Sequence, residues 1–152
     1  MKKHLPLYVL LLFALVLAAC GGGEAEDTGG DEPVSTSTTI DVVENDIYFG
    51  DTNDNAANPP SWTISAGGEA TANITNNGAL EHNFAIVELG ATIPEPFVEA
   101  ENSDIILLDS GLTPPGDSAT WNFTAPSEPG EYQVICTIPG HYPLMQGRLI
   151  VE

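Results

Sequence analysis

The chain has 152 residues, of which 22 are Asp or Glu and only three are Lys or Arg, for a formal net charge of −19. That length gives one domain with one core. The acidic balance excludes nucleic acid as a partner, because phosphates are neutralised by Lys and Arg, and it repels the domain from anionic lipid unless something else attaches it.

The chain opens Met1-Lys2-Lys3-His4, a positive n-region, and then runs apolar from Leu5 to Leu17. A bilayer span takes about 20 apolar residues, so residues 1–19 read as a secretory signal and not as a transmembrane helix. The run ends Leu17-Ala18-Ala19-Cys20, with Gly21-Gly22-Gly23 after it. This resembles a bacterial lipobox, which implies cleavage before Cys20 and lipid on its sulfur and new amino terminus. An ordinary signal with a cysteine at the cut is the plainer alternative. Each buried methylene contributes ~0.8 kcal/mol, and several acyl chains together anchor stably. The mature protein is therefore expected on the extracytoplasmic face of the membrane, periplasmic or cell-surface. Cleavage also removes Lys2 and Lys3, which leaves Arg148 as the one Lys or Arg of the mature chain. A basic partner would be steered toward such a surface; solubility or adaptation to salt explains the acidity equally well.

After Cys20, residues 21–39 are mostly Gly, Glu, Asp, Ser and Thr, with Val34 the one sizeable apolar side chain. They form an acidic tether that buries no core. The domain is expected over 40–152. Ile40-Asp41-Val42-Val43 and Ile47-Tyr48-Phe49 are β-prone, and 51–60 is a polar loop. Trp62 and Ile64, then Ala70, Ala72 and Ile74, alternate with polar residues on either side of Ala66-Gly67-Gly68, as two strands joined by a turn. Asn76-Asn77-Gly78 is a turn. A strand follows over 82–89, with Phe84 and Ile86 on one face and Ala85 and Val87 on the other. Residues 90–104, with Pro94 and Pro96, form a long connection with one helical turn. Ile105 to Leu108, then Ala119, Trp121 and Phe123, then Tyr132 to Cys136, then Gly147 to Val151 supply the remaining strands. Many short strands separated by Gly, Pro and Asn turns predict an all-β fold, a Greek-key β-sandwich of seven or eight strands.

The chain has two cysteines, Cys20 and Cys136. With Cys20 lipidated, Cys136 is an unpaired thiol in an oxidising compartment, which asks for a reason, unless it is a small buried apolar residue. Around it the sequence reads Tyr132-Gln133-Val134-Ile135-Cys136-Thr137-Ile138-Pro139-Gly140-His141-Tyr142-Pro143-Leu144-Met145-Gln146-Gly147, a Cys-x4-His-x3-Met spacing. Upstream stands His82-Asn83-Phe84. His82 alone would more often be an ordinary histidine, and Met145 alone core filler. Once the signal takes His4, however, both remaining histidines fall in this constellation. Structural zinc prefers paired cysteines and calcium prefers oxygen, whereas one thiolate, two imidazoles and a thioether suit copper in both oxidation states. Pro139 and Gly140 supply the fixed and the permissive φ that fold the loop back.

These residues resemble the ligand loop of the cupredoxins, the type 1 blue copper proteins, in the azurin and auracyanin pattern; plastocyanin-like members commonly have a shorter Cys-to-His spacing. The resemblance implies one copper ion (Cu+/Cu2+) held by Cys136 as thiolate, His82 and His141 as equatorial nitrogens and Met145 as weak axial sulfur. Asn83 matches the residue that ties the two ligand segments together, with Thr137 as its partner. The Glu81 carbonyl stands where azurin has a weak axial carbonyl; the family residue there is glycine, and Glu81 departs from it. His141 with Pro139, Tyr142, Pro143 and Leu144 matches the apolar electron port.

The implied function is a membrane-tethered one-electron carrier and not an enzyme, since no spare histidine or second loop cysteine exists for a further copper. Its partner would be a redox protein: a cytochrome c, a quinol-oxidising complex, a terminal oxidase or a photosynthetic reaction centre. Copper delivery or storage without redox turnover is the alternative, and it predicts an exchangeable, nearly colourless metal.

Overall fold

Alternation in the first strand shows how the sandwich is built. Strand β1 (Thr38–Glu44) turns Ile40, Val42 and Glu44 inward and leaves Thr39 and Asp41 in solvent, as a two-residue period requires. The computed structural model describes residues 37–152. The proposed signal 1–19, the lipid site Cys20 and most of the tether lie outside the described residues. At the tether's far end, Thr38 and Thr39 already pair with Ala70 and Thr71, two residues before Ile40.

Two sheets face each other. In the smaller, β1 runs parallel to β3 (Glu69–Asn76), and β3 runs antiparallel to β6 (Ser118–Thr124). The larger has the order β2 (Ser61–Ile64), β8 (Gln146–Val151), β7 (Gly130–Ile135), β4 (Ala85–Val87) and β5 (Ile106–Asp109). The result is an eight-stranded all-β sandwich. Ile40, Val42, Ile74, Phe84, Ile86, Val134 and Leu149 fill the space between the sheets. Edge-on aromatic pairs join Phe49, Trp62 and Phe84 at centroid distances of 5.0–6.1 Å, a geometry that adds to the area they bury. The other face of β4 carries Ala85 and Val87 into a second small core with Ile93, Phe97 and Ile135. Above that core lies the 90–104 connection, with its single helical turn α1 (Glu99–Asn102) and a 3-10 turn (Ser103–Ile105).

Two expectations are corrected. Ile47-Tyr48-Phe49 forms no strand. Its one ladder contact is the bridge between Glu44 and Phe49, and the buried Asn55 side chain takes both backbone groups of Phe49 (N to Oδ1 2.6 Å, Nδ2 to O 3.0 Å), so an amide stands in for a neighbouring strand. The 82–89 strand contracts to Ala85–Val87 because the backbone of Phe84 pairs with Ser110, partly through its hydroxyl (Phe84 N to Oγ 3.0 Å). The two strands expected on either side of Ala66-Gly67-Gly68 are β2 and β3; the turn between them carries the chain across from one sheet to the other, and β2 pairs parallel to β8.

Candidate metal centre

The β7–β8 ladder ends with Ile135 opposite Gln146, so the next residues outward, Cys136 and Met145, face each other across the mouth of the hairpin. The loop between them closes on itself. Cys136 N donates to Met145 O (3.3 Å), His141 N to Ile138 O (3.0 Å) and Met145 N to His141 O (2.8 Å). Gly140 takes φ +86°, which a side chain rarely adopts. Gln146 Nε2 ties back to Pro143 O at 2.7 Å. Outside the loop, His82 is fixed by a two-bond bridge with Thr113 (Thr113 N to His82 O 2.7 Å, His82 N to Thr113 O 3.2 Å).

These constraints bring the expected donors together. Cys136 Sγ lies 3.8 Å from His82 Nδ1 and 3.4 Å from His141 Nδ1, and all three donor atoms fall within 4.8 Å of one another. Bonds of about 2.0 Å to nitrogen and 2.3 Å to sulfur, meeting at about 110–120°, leave N and S roughly 3.5–3.8 Å apart, so the observed spacing fits donors that share one small ion. Cys136, His82 and Met145 are fully buried and His141 is 7% exposed. Met145 belongs to the same buried cluster as Cys136. Among the described residues, no other group of three His, Cys, Asp or Glu side chains converges in this way.

The electrostatics leave both imidazoles neutral and the thiol protonated. Burial pushes the His82 imidazole down to about 4, helped by His141 and opposed by Asp46; burial also lowers His141. Both rings are therefore neutral near pH 7 and offer lone pairs. Burial pushes the Cys136 thiol up to about 11, against the backbone N–H groups of Asn83 and Ile138 and with the Glu44 and Asp109 carboxylates adding to the rise. Without a metal the thiol stays protonated, and a bound cation displaces that proton.

Asn83 bridges the two ligand segments. Its Oδ1 accepts from Thr137 N (2.8 Å), and its Nδ2 donates to Thr137 Oγ1 (2.9 Å) and to Asp109 Oδ2 (2.9 Å). Thr137 Oγ1 donates in turn to Glu99 Oε2 at 3.3 Å, and Asp109 Oδ1 accepts from Gly111 N at 2.8 Å. Sequence reasoning missed Asp109 and Glu99, since nothing distinguishes two acids among 22. It also missed Glu44, a fully buried carboxyl with no hydrogen-bond partner on either oxygen. The inward alternation Ile40, Val42, Glu44 is the signal that could have found it.

Of the expected port, Pro139 and Leu144 are exposed, Pro143 is half-buried, and Tyr142 leans on the second core beside Phe97. Leu80 and Leu112, chain neighbours of His82 and Thr113, are exposed as well. The Glu81 side chain is in solvent.

Residues 45–152 match the family of copper binding proteins of the plastocyanin/azurin type. Auracyanin-A of Chloroflexus aurantiacus is 37% identical over 169 aligned positions, which span 99% of this chain and 97% of that protein. The solved structure of auracyanin A, a "blue" copper protein from the same green thermophilic photosynthetic bacterium, superposes with a TM-score of 0.57 at 31% identity, over 77% of this chain and 100% of its own. Dithionite-reduced auracyanin from the photosynthetic bacterium Roseiflexus castenholzii gives a TM-score of 0.59 at 25% identity, over 78% of this chain and 98% of its own.

Proposed function

Because this chain belongs to the plastocyanin/azurin family of copper-binding proteins, we propose that it works at the outer face of a membrane, held by lipid on Cys20, passing single electrons between redox partners. It is a type 1 blue copper protein, an auracyanin-like electron carrier and not an enzyme. The observation that carries the reading is the convergence of Cys136 Sγ with the Nδ1 atoms of His82 and His141 within 4.8 Å.

In this reading those three atoms would hold one copper ion, and Met145 would add its thioether sulfur. Copper, when bound, provides the one-electron couple between Cu(I) and Cu(II). The protein's part is to hold the donors still. The Asn83–Thr137 bonds lock the segment next to Cys136, and the closed loop fixes His141 and Met145, so little has to move when the charge changes. The same burial and bracing oppose metal exchange, which weighs against delivery or storage. His141, Pro139, Pro143 and the 47%-exposed Leu144 offer an apolar docking face, and the surrounding acids steer a basic partner. Kinship with auracyanins of photosynthetic bacteria favours a partner in photosynthetic electron transfer, whether a cytochrome c, a quinol-oxidising complex or a reaction centre.

The visible spectrum tests the centre. Cu(II) added to the purified protein should give an intense thiolate-to-copper band that ascorbate bleaches reversibly; a colourless complex overturns the assignment. Fractionation tests the anchor. The full-length protein should sediment with membranes and the Cys20→Ala protein should not, and equal distribution of the two rejects lipid tethering.

A further inference from the structure

Among the described residues, the buried side-chain oxygens and nitrogens without a hydrogen-bond partner are both carboxyl oxygens of Glu44, the hydroxyl of Thr113 and Nε2 of His82. Buried polar groups left unpaired are costly and rare, and here three residues share the anomaly in one place. Thr113 and His82 exchange two backbone hydrogen bonds. Asn76, opposite Glu44 in the β1–β3 register, donates its Nδ2 to Thr113 O at 2.9 Å. The Thr113 hydroxyl stands near enough to the Glu44 carboxyl to oppose the rise of its pKa, although the two do not meet in hydrogen-bond geometry, and the Glu44 charge acts on the Cys136 thiol. The four orphaned atoms thus belong to one buried cluster of residues beside the ligands.

His82 turns Nδ1 toward Cys136 Sγ, so Nε2 faces away from the other ligands, and once Nδ1 binds a metal it is Nε2 that carries the N–H and needs an acceptor. A metal-bound histidine almost always donates its outer ring N–H to a carboxylate, a carbonyl or water, and that bond fixes the ring and raises its basicity. Glu44 makes no direct bond to His82, and polar groups separated by more than hydrogen-bond reach are commonly joined by one water, which needs two to four polar partners. The cluster offers four. We propose that Glu44 is a positioning residue for His82: its carboxyl and the Thr113 hydroxyl together receive the His82 Nε2–H through a single bridging water. The carboxyl presents an acceptor oxygen whether or not it is protonated, so the role does not depend on its titration. Asp46 also acts on His82 by charge, but it is exposed and its Oδ1 is already taken by Ala79 N at 2.7 Å.

The inference rests on His82 being a copper ligand, and its test separates the two claims. The reduced, diamagnetic copper protein, labelled with 15N-histidine, is compared with its Glu44→Leu, Glu44→Gln, Thr113→Val and Asp46→Asn variants. In the parent, the His82 Nε2–H should be observed and protected from exchange with water. Glu44→Leu should shift that resonance, speed its exchange at least about tenfold and weaken copper binding about 10–100-fold, the usual loss for an outer partner of a metal ligand. Glu44→Gln, which keeps an acceptor oxygen, should restore most of both, Thr113→Val should fall between, and Asp46→Asn should leave both unchanged. An unchanged Nε2–H in Glu44→Leu overturns the proposal, as does an equal effect of Asp46→Asn, which would assign the change to charge. Failure of the parent to turn blue with Cu(II) rejects the copper reading instead. The Nε2–H tautomer of His82 can then still be read in the metal-free protein, where its loss in Glu44→Leu supports the bridge and its persistence overturns it.

Discussion

Two polar regions flank Cys136, and they are built in opposite ways. On the Asn83 side every donor and acceptor has a partner: a chain of hydrogen bonds runs from Asp109 through Asn83 and Thr137 to Glu99. On the Glu44 side a carboxyl, a hydroxyl and a ring nitrogen lie buried without one. Satisfied buried networks add rigidity and specify one arrangement, while unsatisfied ones cost stability. The fold therefore braces its ligand loop from one side and carries an energetic burden on the other, with the thiol between them.

Breaking the braced side should have the largest effect. In Asn83→Leu the Thr137 N–H, the Thr137 hydroxyl and the Asp109 carboxylate all lose a partner. Stranded buried groups cost about 1–3 kcal/mol each; the Thr137 N–H is the one stranded, while the Thr137 hydroxyl keeps Glu99 and the exposed Asp109 regains water. A loss of about 3 kcal/mol is expected in urea unfolding of the metal-free protein. The blue band should weaken as well, because Thr137 no longer holds the residue beside it. A stability change under about 1 kcal/mol would show that the chain of bonds is ornament.

How much of this contrast could be read from the sequence depends on whether a residue's role is local. Cys136, His141 and Met145 lie on one loop, so their spacing already encodes their convergence. His82 is far along the chain and became legible through its Asn83 neighbour and the scarcity of histidines. Asn83 and Thr137 were legible by resemblance, but their carboxylate anchors were not, because Asp109 and Glu99 approach from β5 and α1, and only the fold brings those elements alongside. Phe49 misled for a related reason. Its apolar neighbours suggest a strand, yet the Asn55 amide, six residues on, satisfies its backbone, and a side chain standing in for a strand leaves no periodicity. Glu44 was hidden by habit: a glutamate at a strand's end reads as its solvent end, although its parity with Ile40 and Val42 points inward.

Relieving the burdened side should produce a comparable effect of opposite sign, visible only above a certain pH. Burial raises the Glu44 carboxyl from 4.5 to about 7, with the Thr113 hydroxyl opposing. Between those values the folded state holds a proton that the unfolded chain has released, so stability falls as pH rises. Below about pH 4.5 both states are protonated and the penalty vanishes. A shift of this size corresponds to about 3 kcal/mol once Glu44 is fully ionised. Metal-free Glu44→Gln should therefore be more stable than the parent by up to about 3 kcal/mol at pH 8 and nearly equal to it at pH 4.5. The groups nearest the carboxyl do not mask this: Thr113 and Asn76 are neutral, the Cys136 thiol is protonated throughout, and His82 titrates alike in both proteins. A difference independent of pH would mean that the gain comes from packing.

The smallest effect asks how far each region reaches the thiol. Burial raises the pKa of the Cys136 thiol to about 11, and carboxylates on both sides add to the rise, Glu44 more than Asp109. When Asp109 is replaced by Asn, the amide oxygen can still accept from Asn83 Nδ2, and the bond given up is the exposed one from Gly111 N. Asp109→Asn thus removes a charge and leaves the brace. Followed by thiolate absorbance in the metal-free protein, the thiol should ionise at a lower pH in Glu44→Gln and at a pH lowered by less in Asp109→Asn. The order matters more than the size. If Asp109→Asn moved the thiol further than Glu44→Gln, the stronger electrostatic hold on the sulfur would lie on the braced side, and the burdened side would act on the metal through His82 alone.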